Sequence, residues 1–245
     1  IANYDSVSSP DGGQRIVQSA IEPNVESSKQ GNLKAFSEGK RLALFLFSDH
    51  NLIIETARGV VDELTSSGIL TKYNVKIDTK NAQNEFYLAQ SIAQDIVAQK
   101  YDYIISLTTP ALMAAANMNK QIPHIFGAVT DPYRAGVAKT PTDHLPHITG
   151  VATIEPVDAT IKTMRELFPK AKKIGMVWNA GEACSETCTY IARESAKKYG
   201  FELLEANVST TSEVMDALKS LLNKKIDLFL TSGDNTVIMS LEAIA

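Results

Sequence analysis

The sequence predicts an α/β protein made of two parallel sheets in tandem, and three observations carry that prediction. Short, continuous apolar runs of strand length recur along the chain and end abruptly in small polar residues. Segments with apolar residues at helical spacing separate these runs. The alternation breaks once, over 133–146, and then starts afresh. Strand–helix units joined by short loops imply right-handed crossovers, hence parallel strands covered by helices on both faces.

In chain order, 1–40 is rich in Ser, Gly, Asn, Gln and Glu and poor in large apolar residues. It reads as a polar leader or linker, with a short helix conceivable over 14–21. A first lobe is expected over 41–150. Its first strand, 41–47, runs Arg-Leu-Ala-Leu-Phe-Leu-Phe into Ser48-Asp49-His50. A helix over 52–67 follows, with Ile53, Ala57, Val60, Val61 and Leu64 on one face and Gly68 at its C-terminal cap. The next strand is expected over 73–78. After it comes a helix over 86–99 with Leu88, Ile92, Ile96 and Val97 on one face. Strand 103–107 leads into Thr108-Thr109-Pro110 and an alanine-rich helix, 111–118, with the proline where a first turn tolerates it. Strand 122–129 delivers Thr130 and Asp131 to the sheet edge. Pro132 stops it there, since proline lacks an N–H and fixes its own φ.

After the excursion an extended segment is expected over 147–153, and a second lobe over 151–245. Its helices are predicted at 156–168, 184–199 (closed by Gly200) and 213–223, its strands at 173–178, 202–207 and 227–230. A last helix begins at Thr236. Because the alternation stops on a helix and not a strand, the second lobe is expected to be incomplete at its C-terminal end.

Composition narrows the function classes. The 245 residues are 44% hydrophobic and 21% charged, ordinary for a globular protein with a sizeable core. A formal net charge of −4 supplies no basic field, which argues against nucleic acid as a partner. No apolar run is long enough to span a bilayer. Cys184 and Cys188 lie four apart, so a bridge near a helix start is geometrically open. Zinc would need further soft ligands, and His50, His124, His144 and His147 are remote in sequence. The favoured reading is two small semi-buried residues. Phosphate-cradling glycine loops, a G-x-S-x-G elbow and an H-E-x-x-H motif are all missing. No enzyme activity, cofactor or metal is therefore expected.

What the strand exits do carry is hydroxyls, amides and single carboxylates: Ser48 and Asp49, Thr108 and Thr109, Thr130 and Asp131, Asn179 and Glu182, Asp234 and Asn235. Ligands of open parallel sheets bind beyond the carboxyl ends of strands. The helix N-terminus after Thr109 favours a carboxylate, and Asp131, Glu182 or Asp234 could accept from an ammonium. Each residue also has a plainer duty: Ser48, Asp49 and Thr109 as helix N-caps, Thr130-Asp131-Pro132 as a turn. Trp178 could stack on a ligand ring, although the end of an apolar strand favours a core position. His124 is expected to be a satisfied core or edge residue, His144 and His147 solvated.

Six segments fall in order and at matching spacing: Lys80-Asn81-Ala82-Gln83, Thr108-Thr109-Pro110-Ala111, Phe126 through Asp131-Pro132, Ile148-Thr149-Gly150-Val151, Gly181-Glu182 and Asp234-Asn235-Thr236-Val237. Together they resemble the substrate-binding proteins of ABC transporters, in the subfamily that includes tryptophan and tyrosine receptors. The resemblance implies the periplasmic-binding-protein type I fold: two Rossmann-like lobes, a hinge whose first crossing is 148–153, and a small solute held between the lobes. It further implies an extracytoplasmic location, with or without a membrane anchor, a membrane permease as partner, a monomer, and an amino acid, aromatic by preference, as ligand. Cys184 stands where the family pattern suggests a small polar residue. A ligand-sensing domain of a signalling or regulatory protein with the same fold fits the same residues.

Overall fold

A computed structural model describes residues 39–244. The reading of 1–40, including the helix over 14–21, lies outside the described residues apart from Gly39 and Lys40. Strand β1 (Arg41–Leu46) sets the first layer. Ala43, Phe45 and the following Phe47 pack under α3 (Phe86–Ala98) and α4 (Thr109–Met118), while Leu42, Leu44 and Leu46 pack under α1 (Asn51–Ser66). The run is apolar throughout because neither face of the strand meets water. It lies between β2 (Lys76–Asn81) and β3 (Tyr103–Leu107), and β4 (His124–Val129) and β5 (Ile148–Ala152) extend the sheet to the order β2-β1-β3-β4-β5, all parallel. β5 comes so close to β4 that a Cβ on Gly150 would run into the Phe126 carbonyl and ring.

The second layer repeats the scheme with three parallel strands. β6 (Lys173–Asn179) lies between β7 (Glu202–Val208) and β8 (Leu228–Leu230). Ile174, Met176 and Trp178 pack under α5 (Val157–Leu167) and α6 (Ala183–Lys198), and Val177 faces Val214, Leu218 and Leu221 of α7 (Val214–Asn223). This is the expected class: two parallel α/β lobes of the periplasmic-binding-protein type I kind, the second with three strands among the described residues.

Several boundaries differ from the sequence reading. β2 starts at Lys76, not 73. A one-turn helix, α2 (Ile69–Lys72), follows Gly68 (φ +73°), and Tyr73 and Asn74 close that turn. As an edge strand, half exposed, β2 needs no apolar run, so its start carries no hydropathy signal. The final helix breaks into α8 (Asn235–Ile238) and α9 (Leu241–Ile244), because Ser240 N–H bonds back to Val237 O and ends the first. His147 is half-buried, with Nε2 3.2 Å from Asn119 O, where a solvated residue was expected.

His124 lies inside the first core, 1% exposed, with Nε2 2.7 Å from Ser106 Oγ on the neighbouring strand. Burial, and after it the charge of His147, pushes its imidazole down to about 4. Unfolded, the same ring titrates near 6.5, so below that pH the unfolded chain takes up a proton that the folded chain refuses. The stabilisation is complete above pH 6.5 and is lost as pH falls through 4, about 3 kcal/mol in all. Urea unfolding at pH 7 and pH 4.5 should show this loss, and His124→Gln should shrink it by about 2 kcal/mol or more. The same pH dependence in the variant would remove His124 from the account.

Candidate functional site

Parallel strands deliver their exits to one edge, and β1, β3 and β4 are neighbours, so three polar exits of the first sheet stand side by side. At the β1 exit Ser48 is buried and Asp49 exposed. Neither caps α1. The cap is His50, whose Nδ1 accepts Leu52 N–H at 3.3 Å. At the β3 exit Thr108 has φ +85°, a strained conformation for a β-branched residue. Its N–H bonds Gly127 O of β4 at 3.1 Å, and its carbonyl accepts the first turn of α4 from Leu112 N–H at 3.1 Å. Thr109 was a natural cap by sequence, yet α4 carries no side-chain cap. Thr108 and Thr109 are 3% and 2% exposed, and both hydroxyls lack a partner among the described residues.

At the β4 exit a register shift between Phe126 and Val129, with Ala128 at φ +52°, re-aims the chain into Thr130 and Asp131, both buried. Asp131 Oδ1 accepts Tyr133 N–H at 2.9 Å and Arg134 N–H at 3.0 Å, which is the turn expected there. Its Oδ2 faces the other lobe, where Thr187 Oγ1 of α6 lies 3.4 Å away. One carboxylate oxygen thus serves the fold and the other faces the interlobe space.

The second sheet's exits behave differently. Glu182, 1% exposed, accepts Asn235 N–H (3.0 Å), Asn235 Nδ2 (2.6 Å), Thr236 N–H (3.0 Å) and Thr236 Oγ1 (2.7 Å). Asp234, fully buried, accepts Asn179 N–H (2.5 Å), Ser185 Oγ (2.6 Å) and Val237 N–H (2.8 Å). Asn179 donates Nδ2 to Thr236 Oγ1 at 2.9 Å and accepts Gly181 N–H at 2.8 Å. Of these expected ligand contacts, Glu182, Asp234 and Asn179 spend their polar atoms within the lobe, tying the β6 exit to the β8 exit, and Asn235 joins them through its backbone N–H and Nδ2. Thr236, noted in sequence only as a helix start and as part of the 234–237 segment, and Ser185, which gives no signal beyond being small and polar, are members of the same network. The linker after β5 joins this network: Glu155 accepts Gly233 N–H, and a Cβ on Gly233 would collide with that carboxylate.

Burial, and then the charge of Asp234, raises the Glu182 carboxyl, while donors from Asn235 and Thr236 oppose the rise. Burial also pushes the Cys184 thiol well up, aided by Glu182, and lifts Cys188 to about 12. Both cysteines are free and buried, so the bridge left open by their spacing is not formed. Thiols held protonated are poor nucleophiles and poor metal ligands. Trp178 is a core residue, with Nε1 donating to Glu205 at 3.0 Å and the Arg193 guanidinium above its ring. Among the described residues no three His, Cys, Asp or Glu side chains gather as a metal would require, and no helix is long and apolar enough to cross a membrane.

Comparison with known proteins gives the lineage. A tyrosine-binding protein of Clostridioides difficile is 34% identical over 206 residues, 84% of this chain and 59% of that relative, so the chain spans about three fifths of its length. A solved ABC domain in complex with L-Trp, from Streptococcus pneumonia, superposes with a TM-score of 0.78 at 24% identity, covering 84% of this chain and 70% of that one. The ligand-free, open structure of a substrate binding protein with adhesive properties from Clostridium difficile gives 0.58 at 33% identity, with 83% and 68% covered. The sequence model of the ABC transporter substrate binding proteins matches residues 41–245. The chain therefore belongs to the ABC transporter substrate binding protein family.

Proposed function

We propose that the protein is the extracytoplasmic receptor of an ABC importer and traps a free amino acid, aromatic by preference, between lobes 41–150 and 151–245. It hands that ligand to a membrane permease and performs no reaction on it. The observation that carries this reading is the pair of buried, unpartnered hydroxyls of Thr108 and Thr109 at the N-terminus of α4. A buried hydroxyl without a partner costs about 1–3 kcal/mol, and a ligand carboxylate would satisfy both, together with the helix N–H groups. Asp131 sits on the adjacent strand exit, about 5 Å away at strand spacing, which suits the ammonium of the same α-amino acid. The tyrosine-binding relative supports the ligand class.

Two contacts bridge the lobes across this site: Thr187 Oγ1 to Asp131 Oδ2, and Arg134 to Glu186 at 2.9 Å. Both partners of the Arg134 ion pair are about half exposed, 41% and 54%. Such a pair contributes about 0–1 kcal/mol, enough to bias closure and too little to lock it. Ligand bridging both lobes would supply the remainder by its differential affinity for the closed state.

Replacing Thr109 by Val tests the reading, because it should move stability and affinity in opposite directions. The ligand-free melting temperature should hold or rise as an unsatisfied hydroxyl is removed, while affinity for L-tyrosine or L-tryptophan falls at least tenfold by calorimetry. An unchanged affinity would remove Thr109 from the site. Scattering measurements on Arg134→Glu should show a larger radius of gyration without ligand, with compactness restored by the charge swap Arg134→Glu/Glu186→Arg. Identical radii in all three proteins would dismiss the ion pair as a closing contact.

A further inference from the structure

We infer that the turn leaving β2 forms the side-chain end of the pocket, with Phe86 as an aromatic platform and Asn84 as the acceptor for a ring N–H or O–H; this rests on the amino-acid reading above. Asn81 pairs with Leu46 in register, so this turn leaves from the same carboxyl edge as Thr108. It is stitched to β1 by Ala82 N–H to Leu46 O (3.0 Å) and Asn84 N–H to Phe47 O (2.7 Å). Gln83 and Asn84 both have positive φ, +52° and +64°, which fixes where the asparagine sits.

Two side chains here, Asn84 in the turn and Phe86 just after it, present more than the fold uses. Phe86, in the first turn of α3, lays its ring against Phe47 with centroids 4.9 Å apart. Phe47 is fully buried, yet Phe86 remains 42% exposed and keeps aromatic surface at the carboxyl edge. Asn84 Oδ1 is buried with no hydrogen-bond partner among the described residues. An aromatic surface beside an unsatisfied amide suits a ring that stacks and also donates, as phenol and indole do and benzene does not.

The spacing agrees. α3 and α4 pack over the same face of the first sheet, and packed helix axes lie roughly 8–10 Å apart. The first turns carrying Phe86 and Thr109 are therefore separated by a distance comparable with an aromatic amino acid measured from carboxylate to far ring edge. Trp178, the other candidate for stacking, is committed to the second core. Tyr133, beside Asp131 and 43% exposed, is the competing ring at this edge.

Calorimetric titration of L-tyrosine, L-tryptophan, L-phenylalanine and L-leucine against the wild type and four variants tests the inference. Phe86→Ala should weaken tyrosine and tryptophan at least tenfold and leucine less than threefold. Asn84→Gly, which keeps the positive φ, should erase the preference for tyrosine over phenylalanine while leaving phenylalanine affinity unchanged. Phe86→Leu keeps apolar bulk over Phe47 and gives the same readout if the alanine variant does not fold. If the wild type binds tyrosine and these variants keep its affinities, or if Tyr133→Ala alone removes ring preference, this inference falls and the amino-acid reading stands. If the wild type binds none of the four, the amino-acid reading falls and takes this inference with it.

Discussion

Two carboxylates, Glu182 and Asp234, are buried at the carboxyl edge of the second sheet, and among the described residues neither pairs with a lysine or arginine. Burying an anion without a cation is costly unless N–H and O–H donors surround it. Backbone and side-chain donors of Asn235 and Thr236 meet Glu182, and those of Asn179, Ser185 and Val237 meet Asp234. Losing any one donor would leave a charged acceptor short, so the two exit loops are fixed together as a unit. Gly233 and Glu155 bring the interlobe linker into the same unit. The second lobe therefore offers the interlobe space a preorganised wall.

The first lobe offers the opposite. Thr108 and Thr109 keep hydroxyls without partners, Asn84 keeps an amide oxygen without one, and Asp131 keeps one oxygen turned toward α6. Thr108 also carries backbone strain that the flanking bonds to Gly127 and Leu112 maintain. Three unpartnered polar atoms and a strained threonine thus share the first wall. The acids of the second wall are fully bonded, and Ser232 alone in its exit loops keeps a hydroxyl without a partner among the described residues. That division suits the proposed receptor, in which ligand would complete the first lobe and be covered by the second. The weak Arg134–Glu186 pair at the rim fits that division, since closure must remain reversible.

Much of the fold was legible because it rests on burial, and burial writes itself into apolar runs. β1, β3 and β6 were found within a residue of their ends, since strands buried on both faces must be apolar throughout. The edge strand β2 was misplaced because nothing forces hydrophobicity on a half-exposed strand. The site was legible only as a roster of polar exits. Sequence cannot distinguish Asp131, with one oxygen facing the other lobe, from Asp234, with both oxygens spent, because the difference lies in partners remote in sequence, such as Asn179 and Ser185 for Asp234 and Thr187 for Asp131. It equally suggested Ser48 or Asp49 as the cap of α1 where His50 serves, and passed over Asn84, whose meaning comes from its missing partner.

The central claim is that the acid available to a ligand ammonium lies in the first lobe, while the acids of the second lobe hold its shape. Comparing Asp131→Asn with Asp234→Asn by calorimetry and thermal melting tests it most directly. Asp131→Asn should lower affinity for L-tyrosine or L-tryptophan at least tenfold with little change in ligand-free melting. Asp234→Asn should lower the melting temperature by several degrees while the folded protein binds within a few-fold of wild type. Unchanged binding in Asp131→Asn, or lost binding with unchanged melting in Asp234→Asn, would contradict the account.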